Sequence, residues 1–176
     1  MKNNKMIKYP FILGLVALVA GLLLAIVYNV TKPVIDKNTM KRENAAIVEM
    51  LGDNISIEDK TSLVSKEENN KGINNYYKVT RETTIYYVYK LTVADGVGSD
   101  DSSCVVALDS NGKLYKIKFT VTGDAYAQKY ADDSYLNGLN DKANLGSDDI
   151  VSGATSTGNN FISVINEAIS HNGRNK

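Results

Sequence analysis

Hydroxyl side chains and small residues share one short run near the C-terminal end of the chain. The run is Ser152-Gly153-Ala154-Thr155-Ser156-Thr157, and it directly precedes an apolar segment with helical spacing. A turn that feeds a helix presents free backbone N–H groups and the positive end of the helix dipole, which suit a phosphate group. Gly153 and Ala154 keep the turn small, so a bulky ligand could lie close to the backbone. The pattern therefore predicts a turn that can receive a phosphate.

The segment after this turn predicts an amphipathic helix. Phe161 to Ile169 places its apolar residues on one helical face. Ser156 or Thr157 is the predicted cap at its start, and Gly173 is predicted to lie past its end. His171 is then expected at a frayed and solvated end, rather than as a metal ligand or general base. An alternative is that the whole run is an ordinary turn that caps a core helix.

The composition excludes several classes of function. The 176 residues carry 20 basic and 20 acidic side chains, so no net charge draws the chain toward nucleic acid. The one cysteine excludes an internal disulfide framework and a four-cysteine iron–sulfur site within the chain. No nucleophile–base pair or metal-ligand cluster is visible in the sequence, so we predict neither catalytic nor metal-binding residues. Redox chemistry would need an organic cofactor.

An uncharged apolar segment near the N-terminus predicts a membrane anchor. Phe11 to Tyr28 is apolar, and at about 1.5 Å per residue it can cross a hydrocarbon core of about 30 Å. It exceeds the apolar core of a signal peptide and no small-residue cleavage site follows, so we expect one uncleaved span. Basic residues flank both ends and give no clean orientation. The short N-terminus is most simply cytoplasmic, which puts the C-terminal domain on the extracellular or periplasmic side of the cell membrane.

A second helix is predicted directly after this span. Thr31 can cap it, Pro33 is tolerated in its first turn, and Gly52 is the expected stop. The predicted organisation therefore has three parts. Residues 1–31 form the cytoplasmic N-terminus and transmembrane anchor, residues 32–52 a juxtamembrane helix, and residues 53–176 the C-terminal domain.

Segments rich in β-branched and aromatic residues predict a mainly antiparallel sheet, and so an α+β fold class. The segments are Tyr76–Thr80, Thr84–Ala94, Cys104–Asp109 and Lys113–Val121. Asn111-Gly112 is a strong hairpin signal between the last two. In the last segment, apolar residues alternate with polar ones, which predicts one buried face made of Tyr115, Ile117, Phe119 and Val121. Residues 53–75 are polar and are predicted as exposed loops with at most a short strand at 55–57.

Two further features of the sheet region bear on function. Tyr86, Tyr87 and Tyr89 could stack on the ring of an organic cofactor or fill the faces of the sheet, and we favour the sheet faces. Cys104 begins an apolar strand and is predicted to be a buried, inert hydrophobe.

Ser-Gly-Ala-Thr at 152–155, preceded by an acid, resembles the flavinylation motif of the FMN-binding domain. That domain occurs in the G subunit of Rnf electron-transport complexes and the C subunit of sodium-pumping NADH:quinone reductases. The resemblance implies that a flavin transferase joins FMN through its phosphate to Thr155. Ser152, Gly153 and Ala154 would be recognition positions, and Ser156 and Thr157 would adjoin the cofactor. Asp148 or Asp149 would be the upstream acid, and we include Asp149 in the predicted site.

Two more segments resemble the Rnf G subunit, and one departs from it. Thr31-Lys32-Pro33-Val34-Ile35 after the span is similar, as is the order of strand, hairpin, loop and motif. The family usually carries Glu-Thr-Pro-Gly after the hairpin, close to the flavin, where this chain has Thr122-Gly123-Asp124-Ala125.

The resemblance implies a membrane-anchored electron-transfer subunit with covalent FMN, in an Rnf-like ion-translocating ferredoxin:NAD oxidoreductase complex. It would be a redox subunit rather than an independent catalyst. Its partners would be the other membrane subunits and, for maturation, a flavin transferase. Two alternatives stay open. One is a free-standing extracellular flavoprotein carrier, which the departure at 122–125 favours, and the other is a cofactor-free membrane-anchored binding domain.

Overall fold

The computed structural model describes residues 4–96 and 100–175 and confirms the α+β class. The chain divides into two compact units, Met1–Lys41 and Arg42–Lys176. The helices of four residues or more are α1 (Asn4–Leu51), α2 (Lys66–Asn70), α3 (Ala125–Tyr130), α4 (Asp133–Asn137) and α5 (Thr155–Asn175). The strands are β1 (Ile55–Asp59), β2 (Ile73–Arg81), β3 (Thr84–Val93), β4 (Ser102–Leu108) and β5 (Leu114–Val121). The predicted division at residues 31 and 52 stays a prediction.

The first unit consists of the N-terminal part of α1. Ile12–Lys32 has a mean hydropathy of 2.5 and none of it is buried within the protein. By length and composition, this stretch can cross a membrane once. The predicted start of a new helix at Thr31 is wrong, because α1 is helical without interruption from Asn4 to Leu51.

The second unit is built on one antiparallel sheet in which the strands follow chain order, β1 to β5. The predicted hairpin between β4 and β5 is confirmed, with the Asp109 N–H donating to the Lys113 carbonyl at 2.8 Å. Each strand pairs with its sequence neighbour, so every connection within the sheet is local. The sheet therefore needs no crossover, and the helices are free to cover its two faces.

Each face of the sheet carries its own core. On one face, α5 packs Phe161, Ile165 and Ala168 onto the sheet. On the other face, the last turns of α1 bury Ala46, Ile47, Met50 and Leu51 against β2, β3 and β4. α1 ends at the predicted stop, where the Gly52 N–H donates to the Val48 carbonyl at 2.7 Å.

The last strand does not have the predicted single buried face. Leu114 and Ile117 are both buried, whereas Tyr115 is 37% exposed and Val121 is 50% exposed. The register shifts between Ala107 and Leu108, opposite the start of β5. Such a bulge changes the face to which the following side chains point, and strict alternation fails there.

Residues 53–75 are more ordered than the predicted loops. β1 spans five residues, and α2 follows with a capping box in which Ser65 and Glu68 exchange backbone and side-chain hydrogen bonds. The Ser65 N–H donates to the Glu68 carboxylate at 2.8 Å. The sequence contains the capping signal Ser-x-x-Glu, but the surrounding charge-rich stretch favoured the prediction of an exposed loop.

The predicted end of the last helix is wrong, since α5 continues through Gly173 to Asn175. His171 is fully buried rather than solvated. Its Nδ1 lies 2.9 Å from the Tyr89 hydroxyl and its Nε2 lies 3.3 Å from the Leu63 carbonyl. The segment before β2 covers this end of α5, which the local sequence of the helix could not reveal.

The predictions for the tyrosines and the cysteine are confirmed where the structure tests them. Tyr89 is buried and stacks on Tyr76 with ring centroids 4.7 Å apart. Tyr86 packs against Tyr115 at 4.7 Å on the opposite face. Cys104 is fully buried, and burial raises the pKa of its thiol to about 12, so the thiolate does not form at neutral pH.

Candidate attachment site at the start of the last helix

The turn before α5 ends in an alanine at the capping position. The Ala154 N–H donates to the Val151 carbonyl at 3.1 Å, and the Ala154 carbonyl accepts from the Gly158 N–H at 2.9 Å. The predicted caps Ser156 and Thr157 are therefore wrong, because both lie inside the first turn of α5. The alanine side chain offers no acceptor, so it does not satisfy the free N–H groups of this helix start.

The hydroxyls of the motif differ in their surroundings. Thr157 is only 3% exposed. Ser156 is exposed, but its Oγ donates to the Gly96 carbonyl at 3.0 Å. Thr155 and Ser152 are exposed at the surface. Of the hydroxyls in the first turn of the helix, that of Thr155 is exposed and is not bonded to Gly96, unlike that of Ser156.

Tyr130 of α3 is hydrogen-bonded to the turn before α5. Its hydroxyl donates to the Ala154 carbonyl at 3.1 Å and accepts from the Val151 N–H at 3.0 Å. The ring is fully buried, and burial raises the pKa of the hydroxyl, which therefore stays protonated and able to donate. Gly158 leaves space for these two hydrogen bonds, because a Cβ there would overlap the Tyr130 hydroxyl and lie 2.8 Å from the Tyr130 Cζ.

The motif lines a surface pocket together with α3. The pocket has a volume of about 290 Å³ and is formed by Tyr126 and residues 153–157. Gly153 has φ +77°, a conformation that L side chains rarely adopt, and a Cβ there would meet Lys129 Nζ at 3.4 Å. The same ammonium group lies 5.7 Å from the centroid of the Tyr126 ring. A cation thus lies next to Gly153, and an aromatic side chain lines the same pocket as the exposed Thr155.

The two candidate acids before the motif have different environments. Asp148 is exposed, whereas the Asp149 side chain is 10% exposed and forms an ion pair with Lys142. The Asp149 carboxylate also accepts from the Gly146 N–H at 2.9 Å. Burial opposes its ionisation, but the Lys142 ammonium and the Gly146 N–H outweigh burial and lower the pKa of Asp149. In the structure, Asp149 closes the short 3-10 turn that leads into the motif.

The segment that departs from the family pattern positions α3. Asp124 caps this helix, with its carboxylate accepting from the Ala127 N–H at 2.6 Å. Gly123 lies so close to the Asp100 backbone that a Cβ there would overlap the Asp100 carbonyl. Thr122–Ala125 therefore fixes the start of the helix that carries Tyr126, Lys129 and Tyr130.

Sequence reasoning found the motif but missed Lys129, Tyr130 and Gly158. The signal that could have found Tyr130 is general, since a buried tyrosine usually needs a partner for its hydroxyl. Nothing local links α3 to the motif, because the two segments meet only after folding. Within residues 4–96 and 100–175, no cluster of three His, Cys, Asp or Glu side chains is placed to hold a metal ion.

Fold and site define an α+β domain that follows an apolar helix and displays a threonine at the start of its last helix. Residues 1–50 match the family model described as the RnfG N-terminal region. The match supports the resemblance to the Rnf G subunit for these 50 residues. It ends before the sheet and the motif. No curated protein matches the chain.

Proposed function

We propose that this protein is a membrane-anchored electron-transfer subunit of an Rnf-like complex and carries FMN joined through its phosphate to Thr155. The RnfG-like N-terminal region and the apolar stretch Ile12–Lys32 support the anchor and the complex. The observation that carries the attachment site is the exposed Thr155 at an α5 start whose capping residue, Ala154, has no acceptor.

The residues around Thr155 fit a linked phosphate. Gly153 contributes no side chain to the turn, and the Lys129 ammonium group lies next to the space that a side chain at Gly153 would occupy. The helix start adds N–H groups and a dipole that favour an anion by about 0.3–1 kcal/mol. Bound FMN would supply the redox chemistry, and the protein would supply position and electrostatics.

Attachment is a phosphoryl transfer that needs an activated donor and an external base. Thr155 Oγ would form the new P–O bond, while the pyrophosphate bond of a flavin dinucleotide breaks and a nucleoside monophosphate leaves. The described residues that line the pocket include no imidazole and no carboxylate to take the hydroxyl proton. The base would therefore belong to a separate flavin transferase, and the chain itself would be its substrate.

A phosphodiester to the protein keeps the flavin in place without any need for high affinity. This suits a domain on the extracellular or periplasmic side, where a dissociated cofactor would be lost. Electrons would pass through this subunit between other membrane subunits.

The free-standing carrier stays a second candidate because Thr122–Ala125 replaces the family's Glu-Thr-Pro-Gly. Purification of the tagged full-length chain in mild detergent distinguishes a subunit of a complex from a free-standing carrier. Stoichiometric co-purification of multi-span redox subunits supports the complex, and a flavinylated chain isolated alone supports the carrier.

Thr155→Val is expected to abolish covalent flavinylation, since valine keeps the β-branched shape and lacks the hydroxyl. The full-length chain would be co-expressed with a flavin transferase and examined by intact mass and in-gel flavin fluorescence after denaturation. Ser147→Ala is the matched control, because Ser147 is an exposed hydroxyl that precedes the motif and its loss should leave the adduct in place.

An unmodified wild-type chain, with the transferase active on another substrate, would overturn the flavoprotein proposal. The cofactor-free binding domain would then take its place. An adduct that persists in Thr155→Val would move the site to another hydroxyl of the motif.

A further inference from the structure

We infer that Lys129 is the positioning residue for the linking phosphate, which its ammonium group neutralises during and after attachment. The inference rests on the proposed function and adds a residue outside the motif to the same site. It concerns α3, which lies more than twenty positions before the motif in the chain.

The first step is the position of the ammonium group. Lys129 Nζ lies 3.4 Å from the point that a Cβ on Gly153 would occupy. Gly153 is two positions before Thr155 and lines the same pocket. Only a residue without a side chain leaves this space open between the ammonium and the turn.

The second step is that Lys129 has no carboxylate of its own among residues 4–96 and 100–175. The other lysine near the motif, Lys142, is paired with Asp149, and Lys118 is paired with Glu49. Lys129 instead lies 5.7 Å from the Tyr126 ring centroid, over an aromatic wall of the pocket. An unpaired ammonium held beside a site is available to an incoming anion.

The third step is that the fold fixes the backbone position of Lys129. It occupies the last turn of α3, and the next residue, Tyr130, is buried and bonded to both ends of the Val151–Ala154 turn. The backbone of Lys129 is therefore tied to the backbone of the motif. The Ser156 hydroxyl is directed to Gly96, which leaves the exposed Thr155 hydroxyl of the same helical turn for a phosphate near this charge.

The test compares initial rates of flavin transfer to full-length chains at limiting transferase. Lys129→Gln should slow the reaction by about tenfold, the scale of one charge-assisted contact. Lys129→Arg keeps the charge and should restore the rate to within about twofold of wild type. Lys113→Gln removes an exposed lysine at the β4–β5 hairpin and should leave the rate unchanged. Thermal unfolding of each chain checks that all are folded.

The outcomes separate this inference from the proposed function. A slow Lys129→Gln rescued by Lys129→Arg supports the inference. Equal rates for wild type and Lys129→Gln overturn it and leave the attachment at Thr155 standing. Equal defects in the Gln and Arg variants also overturn it, because they would indicate packing rather than charge. Absence of any adduct on the wild-type chain removes the proposed function itself.

Discussion

A methyl group added at Gly158 would disturb the candidate site. A Cβ at this position would overlap the Tyr130 hydroxyl and approach Ile150 Cγ2 to 3.3 Å. Gly158→Ala should therefore displace the Tyr130 hydroxyl and break its bonds to Val151 and Ala154. We expect a loss of about 1–3 kcal/mol in the free energy of unfolding, measured by urea titration, and a reduced yield of adduct.

The matched control is Gly173, another glycine inside α5. A Cβ at Gly173 meets nothing within 4 Å. Gly173→Ala should therefore be neutral or stabilise the protein by about 0.5 kcal/mol through helix propensity. If both substitutions had the same effect, the close contact between Gly158 and Tyr130 would not control the turn.

Residue identity alone revealed one half of the site. The motif could be read because its turn, its small residues and its hydroxyls are contiguous. The hydrogen bonds of Tyr130 and the position of the Lys129 charge could not be predicted from the sequence, because they depend on how α3 packs on α5. Tertiary contacts decide which side chains from other elements reach the motif, and the local spacing of residues does not predict these contacts.

At the scale of elements, α2 fastens the C-terminal end of α5. The Glu68 side chain is 13% exposed and its carboxylate lies 2.7 Å from Arg174 and 3.8 Å from Nε2 of His171. Burial opposes the charge of Glu68, but hydrogen bonds from Ser65 and Arg174 outweigh burial and lower its pKa from 4.5 to about 2. The ionised carboxylate therefore stabilises the contact between the two helices.

The pH dependence of this contact has a definite sign. A lowered pKa in the folded state means that the stabilisation is complete above about pH 4.5 and is lost as the pH falls toward 2. Glu68→Gln should lower the free energy of unfolding at pH 7 by about 1–3 kcal/mol, and the difference from wild type should shrink across this window. Urea titrations at several pH values measure it.

Glu67→Gln provides the control for α2. The Glu67 side chain is 82% exposed and its one ion pair with a described residue, Lys71, is 3.5 Å long. This substitution should change stability little at any pH. A difference between Glu68→Gln and wild type that stays constant from pH 7 to pH 2 would contradict the assigned role of the carboxylate.

Strands were easier to predict than helix ends. The four segments rich in β-branched residues all became strands, because their composition suits a pleated surface. The predicted ends of α5 are wrong because local preferences favour a hydroxyl residue over Ala154 as the cap and a glycine over Asn175 as the stop. Tertiary contacts from Tyr130 and α2 override both local signals.

At the scale of the whole molecule, the sheet needs a helix on each face. Ala46, Ile47, Met50 and Leu51 cover the face opposite α5 and are at most 5% exposed. Their burial contributes on the order of 5 kcal/mol, comparable with the net stability of a small domain. A fragment that begins at Arg42 should therefore fold as a soluble monomer, whereas one that begins at Asp53 should expose this face and aggregate.

Size-exclusion chromatography and circular dichroism of the two fragments check this prediction. The fragment from residue 42 with Ile47→Asp is a further control, since it keeps the length and removes the apolar contact. A fragment from Asp53 that is monomeric and as stable as the longer one would show that the last turns of α1 are dispensable.

The last turns of α1 also limit how modular the protein is. The RnfG-like region extends to residue 50 and so includes Ala46, Ile47 and Met50, which close the core of the second unit. The matched N-terminal region is thus more than an appendage, because its end is part of the folded domain. An exchange of the N-terminal helix for that of another protein would preserve the domain only when the junction lies before these residues. Recombination after them would pair a sheet with a helix that did not evolve to cover it.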